Sequence, residues 1–254
     1  MNYDSLDRKQ QLQEDEYQFP YKYLDLLPQY AYSYRTEASC RALIRELIRP
    51  FHGQGLLDAG CGAGRLCYDI SKENVKLTGI DYSERAISFA RAFCPGVRFI
   101  VADLTQHCFE EKFDVIVLEE VLEHIEPTKI PSLLFHLKSC LTERGKLIIT
   151  VPSERVSVSK KHYQHFTVDG LKAILWPYFQ KVYVRGHLRI GNFKYYMYRL
   201  LTMGDHFVGS LRPKLGIVRP YYWLVERLLA SIERCPPEKA ATLVAVCTKA
   251  SVHG

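Results

Sequence analysis

Short apolar runs alternate with longer amphipathic stretches along most of this chain. The apolar runs fall at 55–60, 76–82, 97–103, 113–121, 146–153, 181–188 and 241–250. Runs such as VIVL and LIITV are almost continuously apolar, which is typical of central strands covered on both faces. The stretches between them have helical spacing, as in TEASCRALIRELIR at 36–49, and RGK at 144–146 is predicted to be a turn before the fifth run. The alternation predicts an α/β fold with a seven-stranded, mostly parallel sheet and helices on both faces.

Two parts of the chain stand outside this alternation. Between the sixth and seventh runs, at about 189–238, two helical patterns indicate a helical insertion rather than a second domain. Residues 1–35 precede the main domain, 36–254, and we expect their polar first part, 1–20, to be mobile. The aromatic side chains that follow are Tyr17, Phe19, Tyr21, Tyr23, Tyr30, Tyr32 and Tyr34. We interpret this segment as a lid over a ligand site, with ordinary packing on the sheet edge as the alternative.

The composition indicates the cellular compartment of the protein and argues against a cysteine-based metal or redox site. No apolar run is long enough to span a bilayer, and the polar N-terminus lacks the pattern of a secretory signal. We therefore expect a cytoplasmic protein. None of the eight cysteines forms a CxxC pair, so the sequence indicates buried, reduced thiols rather than a zinc or redox site.

The net charge of +6 is concentrated in one region. Between Lys181 and Arg234 there are ten Lys or Arg and three acidic residues. A basic surface of this kind could attract anionic acceptors, nucleic acid or an anionic membrane surface; RNA is a possible partner that we do not favour. Nothing in the pattern predicts DNA binding or an oligomeric state.

The most informative motif is LLDAGCGAGRL at 56–66, where an apolar run ends and a helix begins. Gly60, Gly62 and Gly64 allow a tight turn and close approach to a ligand, and the helix start offers unpaired N–H groups. The spacing G-x-G-x-G differs from the dinucleotide pattern G-x-G-x-x-G. Asp81 ends the next strand about 20 residues later, where an acid can accept hydrogen bonds from ribose hydroxyls. The motif predicts a nucleoside-containing ligand.

The full motif series resembles the class I S-adenosylmethionine-dependent methyltransferases. The series is D-x-G-x-G-x-G, an acid ending strand two, VADL ending strand three, FDVIVLEEVLEHI and RGKLIITVP, covering about 40–188 and the last strand. It is most similar to the branch with ubiquinone-biosynthesis O-methyltransferases and other type 11 methyltransferases. The resemblance implies a Rossmann-like fold, an enzyme, and S-adenosylmethionine as the cofactor.

The resemblance also implies a cofactor site. Its residues would be Asp58, Gly60, Cys61, Gly62, Gly64, Asp81, Tyr82, Asp103, Leu104 and Glu119. The glycines would line the methionine part, and Asp58 would orient their loop and reach the amino group, directly or through water. Asp81 would hold the ribose hydroxyls, while Asp103 and the Leu104 N–H would contact the adenine beside Tyr82. Glu119 would lie near the amino group or the sulfonium.

Glu120, Glu123 and His124 form an ExxEH motif after the fourth strand. Carboxylates with a histidine suit Mg²⁺ or a transition metal, and some quinone-biosynthesis methyltransferases are described as using this motif for magnesium. Small-RNA 2′-O-methyltransferases use a similar motif. Many methyltransferases carry the LEH part without metal, as a helix cap and loop. We favour a site without metal and keep magnesium as the alternative.

His162 and His165 lie in the loop KKHYQHFT after the fifth strand, which emerges at the same sheet edge. A histidine there could take the proton from an acceptor hydroxyl. The candidates for the catalytic base are therefore His165, His162 and His124, with His165 preferred. We predict O-methylation of a small or lipid-linked acceptor, such as a sugar, quinone precursor or natural product. The alternatives are an RNA 2′-O-methyltransferase and a non-catalytic protein that kept the fold.

Overall fold

The computed structural model describes residues 3–26, 35–51, 54–203 and 218–249. The predicted lid residues Tyr30, Tyr32 and Tyr34 lie outside the described residues. None of the described helices is long and apolar enough to cross a membrane.

One sheet holds all the strands of the described chain. They are β1 (Gly55–Ala59), β2 (Lys76–Asp81), β3 (Arg98–Val101), β4 (Phe113–Glu119), β5 (Leu141–Pro152), β6 (Lys181–Arg189), β7 (Arg234–Cys235) and β8 (Ala240–Thr248). Their order is β3-β2-β1-β4-β5-β8-β6-β7, with β1 to β5 parallel and β8 antiparallel to both neighbours. The predicted fold is confirmed, with eight strands instead of seven. The added β7 has two residues, too few for a hydrophobic pattern.

Helices cover both faces of this sheet. They are α1 (Arg8–Glu16), α2 (Arg35–Ile48), α3 (Arg65–Ile70), α4 (Glu84–Phe93), α5 (Ile130–Cys140), α6 (Val168–Leu175), α7 (Phe193–Met203) and α8 (Val218–Glu233). Ser83 and Thr167 cap α4 and α6 by accepting hydrogen bonds from the N–H groups of Ala86 and Gly170. Short 3₁₀ helices include Tyr21–Leu26 and Leu122–His124.

The core consists of two apolar layers, one on each face of the sheet. Neighbouring strand residues alternate between them, so that Leu57 and Ile116 face α5 and α6 while Leu56 and Val115 face α2, α3 and α4. All four side chains are fully buried. Because both faces are covered, these strands are largely apolar, and their carboxyl ends are held in fixed relative positions.

The structure differs from the sequence prediction at two places. The polar start contains a helix that the sequence pattern did not predict: α1 forms because Asp7 and Gln10 make a capping box that satisfies the first N–H groups of the helix. The predicted turn RGK lies within β5, where the pairing with β4 shifts register between Phe113 and Val115. The extra residues leave the ladder as a bulge without ending the strand.

Candidate active site

A cavity of about 460 Å³ opens at the carboxyl ends of the parallel strands. Six of the ten predicted cofactor residues line it: Gly60, Asp81, Tyr82, Asp103, Leu104 and Glu119. The predicted residues Asp58, Cys61, Gly62 and Gly64 are buried and are not among the lining residues. We call Gly60, Asp81, Tyr82, Asp103 and Leu104 the glycine side of the cavity.

Asp81 is the central acid of the glycine side. Its Oδ2 accepts a hydrogen bond of 2.8 Å from the Gly62 N–H, and its Oδ1 accepts one of 2.9 Å from the Ser83 N–H. Burial raises the pKa of its carboxyl to about 6, while these two N–H donors act in the opposite direction. The carboxylate is therefore held rigidly at the end of β2 and keeps lone pairs for ligand hydroxyls.

The glycines serve two different purposes. All three have positive φ, at 81° for Gly60, 52° for Gly62 and 78° for Gly64. A Cβ on Gly64 would stand 2.8 Å from the Ala90 Cβ, so this glycine permits contact between the loop and α4. A Cβ on Gly62 would stand 2.8 Å from the Tyr17 hydroxyl, so Gly62 is covered by the N-terminal segment.

Asp58 lies behind the glycine loop. It is 1% exposed, and its Oδ2 accepts a hydrogen bond from the Cys67 thiol at 3.2 Å. Burial, followed by the charge of Glu119, raises the pKa of its carboxyl to about 7. Its predicted contact with the cofactor amino group stays a prediction, since its side chain faces α3 in this structure.

Asp103 is held by the turn that follows β3. Its Oδ1 accepts hydrogen bonds of 2.8 Å from both the N–H and the hydroxyl of Thr105, and its Oδ2 accepts one from Gln106. The side chain is half-buried and lies on the cavity wall beside Leu104. An acid in this position can accept from an amine, as the adenine-binding prediction requires.

The ends of β4 and β5 supply the opposite wall, which we call the histidine side: Glu120, Glu123, His124 and His162. Glu120 has a φ of 54°, a backbone conformation that non-glycine residues rarely adopt and that clusters at functional sites. Glu123 is 0% exposed, and neither of its carboxylate oxygens has a hydrogen-bond partner of good geometry among the described residues. Burial, and then the neighbouring acids, raises the pKa of Glu120 to about 7 and that of Glu123 well above its ordinary value.

Three groups in the loop after β5 form a hydrogen-bonded relay. His165 Nδ1 lies 2.9 Å from the Val156 carbonyl, and His162 Nδ1 lies 2.8 Å from His165 Nε2. A carbonyl only accepts, so His165 Nδ1 carries the hydrogen, and the Nε2 of the neutral ring accepts from His162 Nδ1–H. This leaves the Nε2 of His162 with its lone pair. His162 lines the cavity, whereas the predicted base His165 lies behind it.

Burial keeps the two lining histidines neutral. It lowers the pKa of His162 to about 4, with further contributions from His165 and Lys161. Burial likewise lowers the pKa of His124 to about 3, and its ring meets that of His162 edge-on at 4.6 Å. Both imidazoles therefore have the form that accepts protons or binds metal at neutral pH.

The histidine side also fits a divalent cation. Glu123, His124 and His162 each offer one ligand atom, and these atoms lie within 4.8 Å of one another. A buried carboxylate without a partner is costly unless something neutralises it. Two of these residues belong to the ExxEH motif, whereas His162 comes from a separate loop that sequence spacing could not connect to it.

Helix α1 and the segment after it cover the cavity and connect its two sides. Tyr82 donates from its hydroxyl to the Gln10 carbonyl at 3.3 Å, and Lys161 pairs with Glu16 at 2.5 Å. The covering segment adds lining residues that the sequence did not identify: Asp7, Lys9, Gln10, Gln13, Glu16 and Lys22. The capping box was the signal that could have found this helix. Its position is that of a lid, and its opening stays a prediction.

The cavity wall is more acidic than the protein as a whole. Nine carboxylates line it against five Lys or Arg side chains, although the net charge of the chain is +6. The wall is therefore suited to a ligand with positive charge, such as a sulfonium. Of the basic residues counted between Lys181 and Arg234, none that the structure describes is among the lining residues.

These features define the class of the protein as an α/β methyltransferase with its ligand site at the carboxyl ends of β1 to β4. A sequence model of the methyltransferase domain family matches residues 32–192, and the chain belongs to this family. S-adenosylmethionine is accordingly its cofactor. The chain is similar to the ubiquinone biosynthesis O-methyltransferase of Glaesserella parasuis serovar 5 (strain SH0165), with 34% identity over 119 residues, 43% of this chain and 50% of that protein. It spans about half the length of the curated relatives it matches.

Solved structures share the fold. The TehB-like SAM-dependent methyltransferase from Corynebacterium glutamicum superposes with a TM-score of 0.55 at 19% identity, covering 87% of this chain and 96% of that one. The N-methyltransferase NodS from Bradyrhizobium japonicum WM9, in complex with S-adenosyl-L-homocysteine, gives 0.53 at 22% identity, covering 59% and 78%. Because these two enzymes differ in name and the identities are low, the fold alone does not choose the acceptor atom.

Proposed function

We propose that the protein transfers the methyl group of S-adenosylmethionine to a hydroxyl oxygen of a small or lipid-linked acceptor, such as a quinone precursor, a sugar or a natural product. The names of the curated relatives support oxygen as the acceptor atom. The observation that carries the proposal is the relay from the Val156 carbonyl through His165 to His162, because it presents an unprotonated nitrogen to the cavity.

In this mechanism the cofactor supplies an electrophilic methyl group on a sulfonium. Asp81 would hold the ribose hydroxyls, and Gly60, the loop glycine that lines the cavity, would contact the methionine end. The acceptor hydroxyl would lie against the histidine side, where its oxygen would take the methyl group and S-adenosylhomocysteine would be the other product. The hydroxyl proton passes to Nε2 of His162, and His165 stabilises the resulting imidazolium by accepting from its Nδ1–H. Alignment and exclusion of water by α1 supply the remaining rate enhancement.

The acidic cavity wall restricts the charge that the acceptor can carry next to its reacting hydroxyl. Glu119, and Glu120 in its ionised form, would repel a phosphate or carboxylate placed next to the methyl group, whereas an uncharged hydroxyl meets no such penalty. This favours a neutral alcohol or phenol over an RNA ribose flanked by phosphates. Anionic parts of the acceptor would have to lie outside the cavity.

A divalent cation is the alternative use of the same wall. Glu123, His124 and His162 would hold it, and it would lower the pKa of a coordinated acceptor hydroxyl. The His162 lone pair cannot serve both as metal ligand and as base, so the two mechanisms make opposite predictions for chelators.

The experiment is transfer of labelled methyl from S-adenosylmethionine to a panel of phenols, sugars and polyprenyl phenols. We expect His162→Asn to lower kcat by at least about 100-fold, the lower range for loss of a general base, with affinity for S-adenosylhomocysteine unchanged. His107→Asn, outside the cavity, is the matched control. Label recovered on nitrogen of an amine acceptor, or an active His162→Asn variant, would contradict the proposal.

A further inference from the structure

The insertion forms a helical hairpin with one buried face. Tyr198 of α7 packs against Val225, Leu229 and Ile232 of α8, and all four are at most 3% exposed. This satellite core is separate from the two layers on the sheet. The hairpin is therefore held together by its own apolar contacts, and its outer face is not needed for its folding.

The outer face of the hairpin carries large apolar side chains in solvent. Phe193, Tyr196 and Leu200 are 78%, 62% and 67% exposed along α7, at a spacing that places them on one side of the helix. Trp223 and Leu224 are 60% and 40% exposed on α8. The described chain has thirteen exposed large hydrophobic side chains, and these five lie on one hairpin. Such a concentration differs from the single exposed hydrophobic residues that are scattered over ordinary protein surfaces.

Cations accompany these side chains. Lys194, Arg199 and Arg227 are exposed on the same two helices, and the Arg227 guanidinium lies 4.9 Å from the centre of the Trp223 ring. Glu226 is already paired with Arg35 at 2.6 Å. The outer face therefore combines aromatic and aliphatic groups with positive charge, as helices that lie in a membrane interface do.

The hairpin adjoins the mouth of the active-site cavity. Leu188, at the end of β6, packs against the core of the hairpin and also lines the cavity. Its φ of 60° turns the chain sharply from the sheet into the insertion. A surface that holds the outer face would therefore lie beside the cavity opening.

We infer that the outer face of the α7–α8 hairpin binds an anionic lipid surface. A second copy of the chain is disfavoured because it would bring two positive faces together. RNA would use the cations and the aromatic rings, but Leu200 and Leu224 offer it neither charge nor a ring to stack on. The inference does not rest on the proposed acceptor, since lipid binding needs no methyl transfer.

The chain contains two tryptophans of equal exposure, which supply a matched experiment. Trp176 is 59% exposed outside the hairpin, and Trp223 is 60% exposed on it. With Trp176→Phe, the remaining Trp223 should shift its emission to the blue on vesicles of phosphatidylglycerol and be quenched by brominated acyl chains. With Trp223→Phe, the emission of Trp176 should stay unchanged on the same vesicles.

A second experiment tests the contribution of the positive charges to lipid binding. Each Lys or Arg near an anionic lipid surface raises the affinity of the protein for that surface by about fivefold. The double variant Arg199→Glu, Arg227→Glu should therefore partition onto anionic vesicles at least about 25-fold more weakly than wild type. Binding should also be weak on phosphatidylcholine vesicles, and circular dichroism should show the double variant folded. The inference is overturned if Trp223 stays in water on anionic vesicles, if its shift depends on protein concentration without lipid, or if RNA alone produces it.

Discussion

The two sides of the active-site cavity are built in different ways. On the glycine side, one acid, Asp81, is satisfied by two backbone N–H groups and faces a loop whose glycines take positive φ. On the histidine side, Glu123 is buried without a hydrogen-bond partner among the described residues, and Glu120 has a strained backbone. The glycine side is complete without a ligand, whereas the histidine side contains unsatisfied groups.

This difference indicates that the glycine side mainly binds the cofactor and that the histidine side mainly carries out the chemistry. A satisfied carboxylate on a fixed backbone provides affinity with little reorganisation when the ligand arrives. Buried polar groups without hydrogen-bond partners reduce the stability of the fold. Such destabilising groups are found mainly where catalysis or the binding of a cation requires them. We therefore expect changes on the glycine side to alter cofactor affinity and changes on the histidine side to alter turnover.

The largest expected effect is on the glycine side. In Asp81→Asn an NH₂ group replaces one of the two oxygens that accept from Gly62 and Ser83, so an N–H donor loses its partner and the ribose hydroxyls lose a charged acceptor. We expect affinity for S-adenosylhomocysteine to fall by about 100-fold, or about 2.7 kcal/mol, in calorimetric titration. Asp114→Asn, whose carboxylate binds Gly55 and Thr142 far from the cavity, is the control.

The pH dependence of the same titration tests the charge of Asp81. Its pKa of about 6 means that the carboxylate, the form that accepts hydrogen bonds without donating one, is mostly present at pH 7 and mostly absent at pH 5. Wild-type affinity should therefore rise by about tenfold across this range. If the affinity for S-adenosylhomocysteine did not vary with pH and Asp81→Asn bound it as tightly as wild type, the glycine side would not be the part of the cavity that determines cofactor affinity.

The second prediction concerns metal on the histidine side. We expect chelator-treated protein to remain active, because the relay supplies a neutral base, and we expect added Zn²⁺ to inhibit by at least about tenfold because it would occupy the His162 nitrogen. Glu123→Gln should relieve this inhibition about tenfold, whereas Glu126→Gln, another acid on the cavity wall, should not. Loss of activity with chelator and its return with Mg²⁺ would replace the histidine mechanism by the cation mechanism.

The same contrast explains what the sequence could predict. The glycine side follows from a local motif, since strand, glycine loop and Asp81 occupy consecutive elements whose geometry a parallel sheet determines. Four members of that motif, including Gly62 and Gly64, nevertheless lie off the cavity wall, because Tyr17 and Ala90 occupy the space next to these two glycines. Spacing along a chain predicts which loop is at the edge, but not which atoms are exposed in it.

The histidine side depends on contacts between distant segments. His124 and His162 come from loops after different strands, and the order His162 before His165 at the wall depends on the hydrogen bond to Val156. The sequence placed both histidines in one loop at the sheet edge, and our preference for His165 did not anticipate that His162 is the one that lines the cavity. Helix α1 was missed because its residues are polar on nearly all faces, so only its capping box distinguishes it from an irregular segment.

The smallest predicted effect tests whether Asp58, the buried acid behind the glycine loop, reduces stability. The pKa of Asp58 is raised to about 7, so the native state keeps a proton that the unfolded chain loses near pH 4. Its contribution to stability is complete below pH 4 and is lost as the pH rises to 7. Asp58→Asn removes this ionisation, and we expect the Tm of the cofactor-free variant to exceed wild type by about 5 °C at pH 8, or about 2 kcal/mol, with little difference at pH 4.5. A lower Tm at both pH values would show instead that the bond with Cys67 stabilises the ionised carboxylate more than burial opposes it.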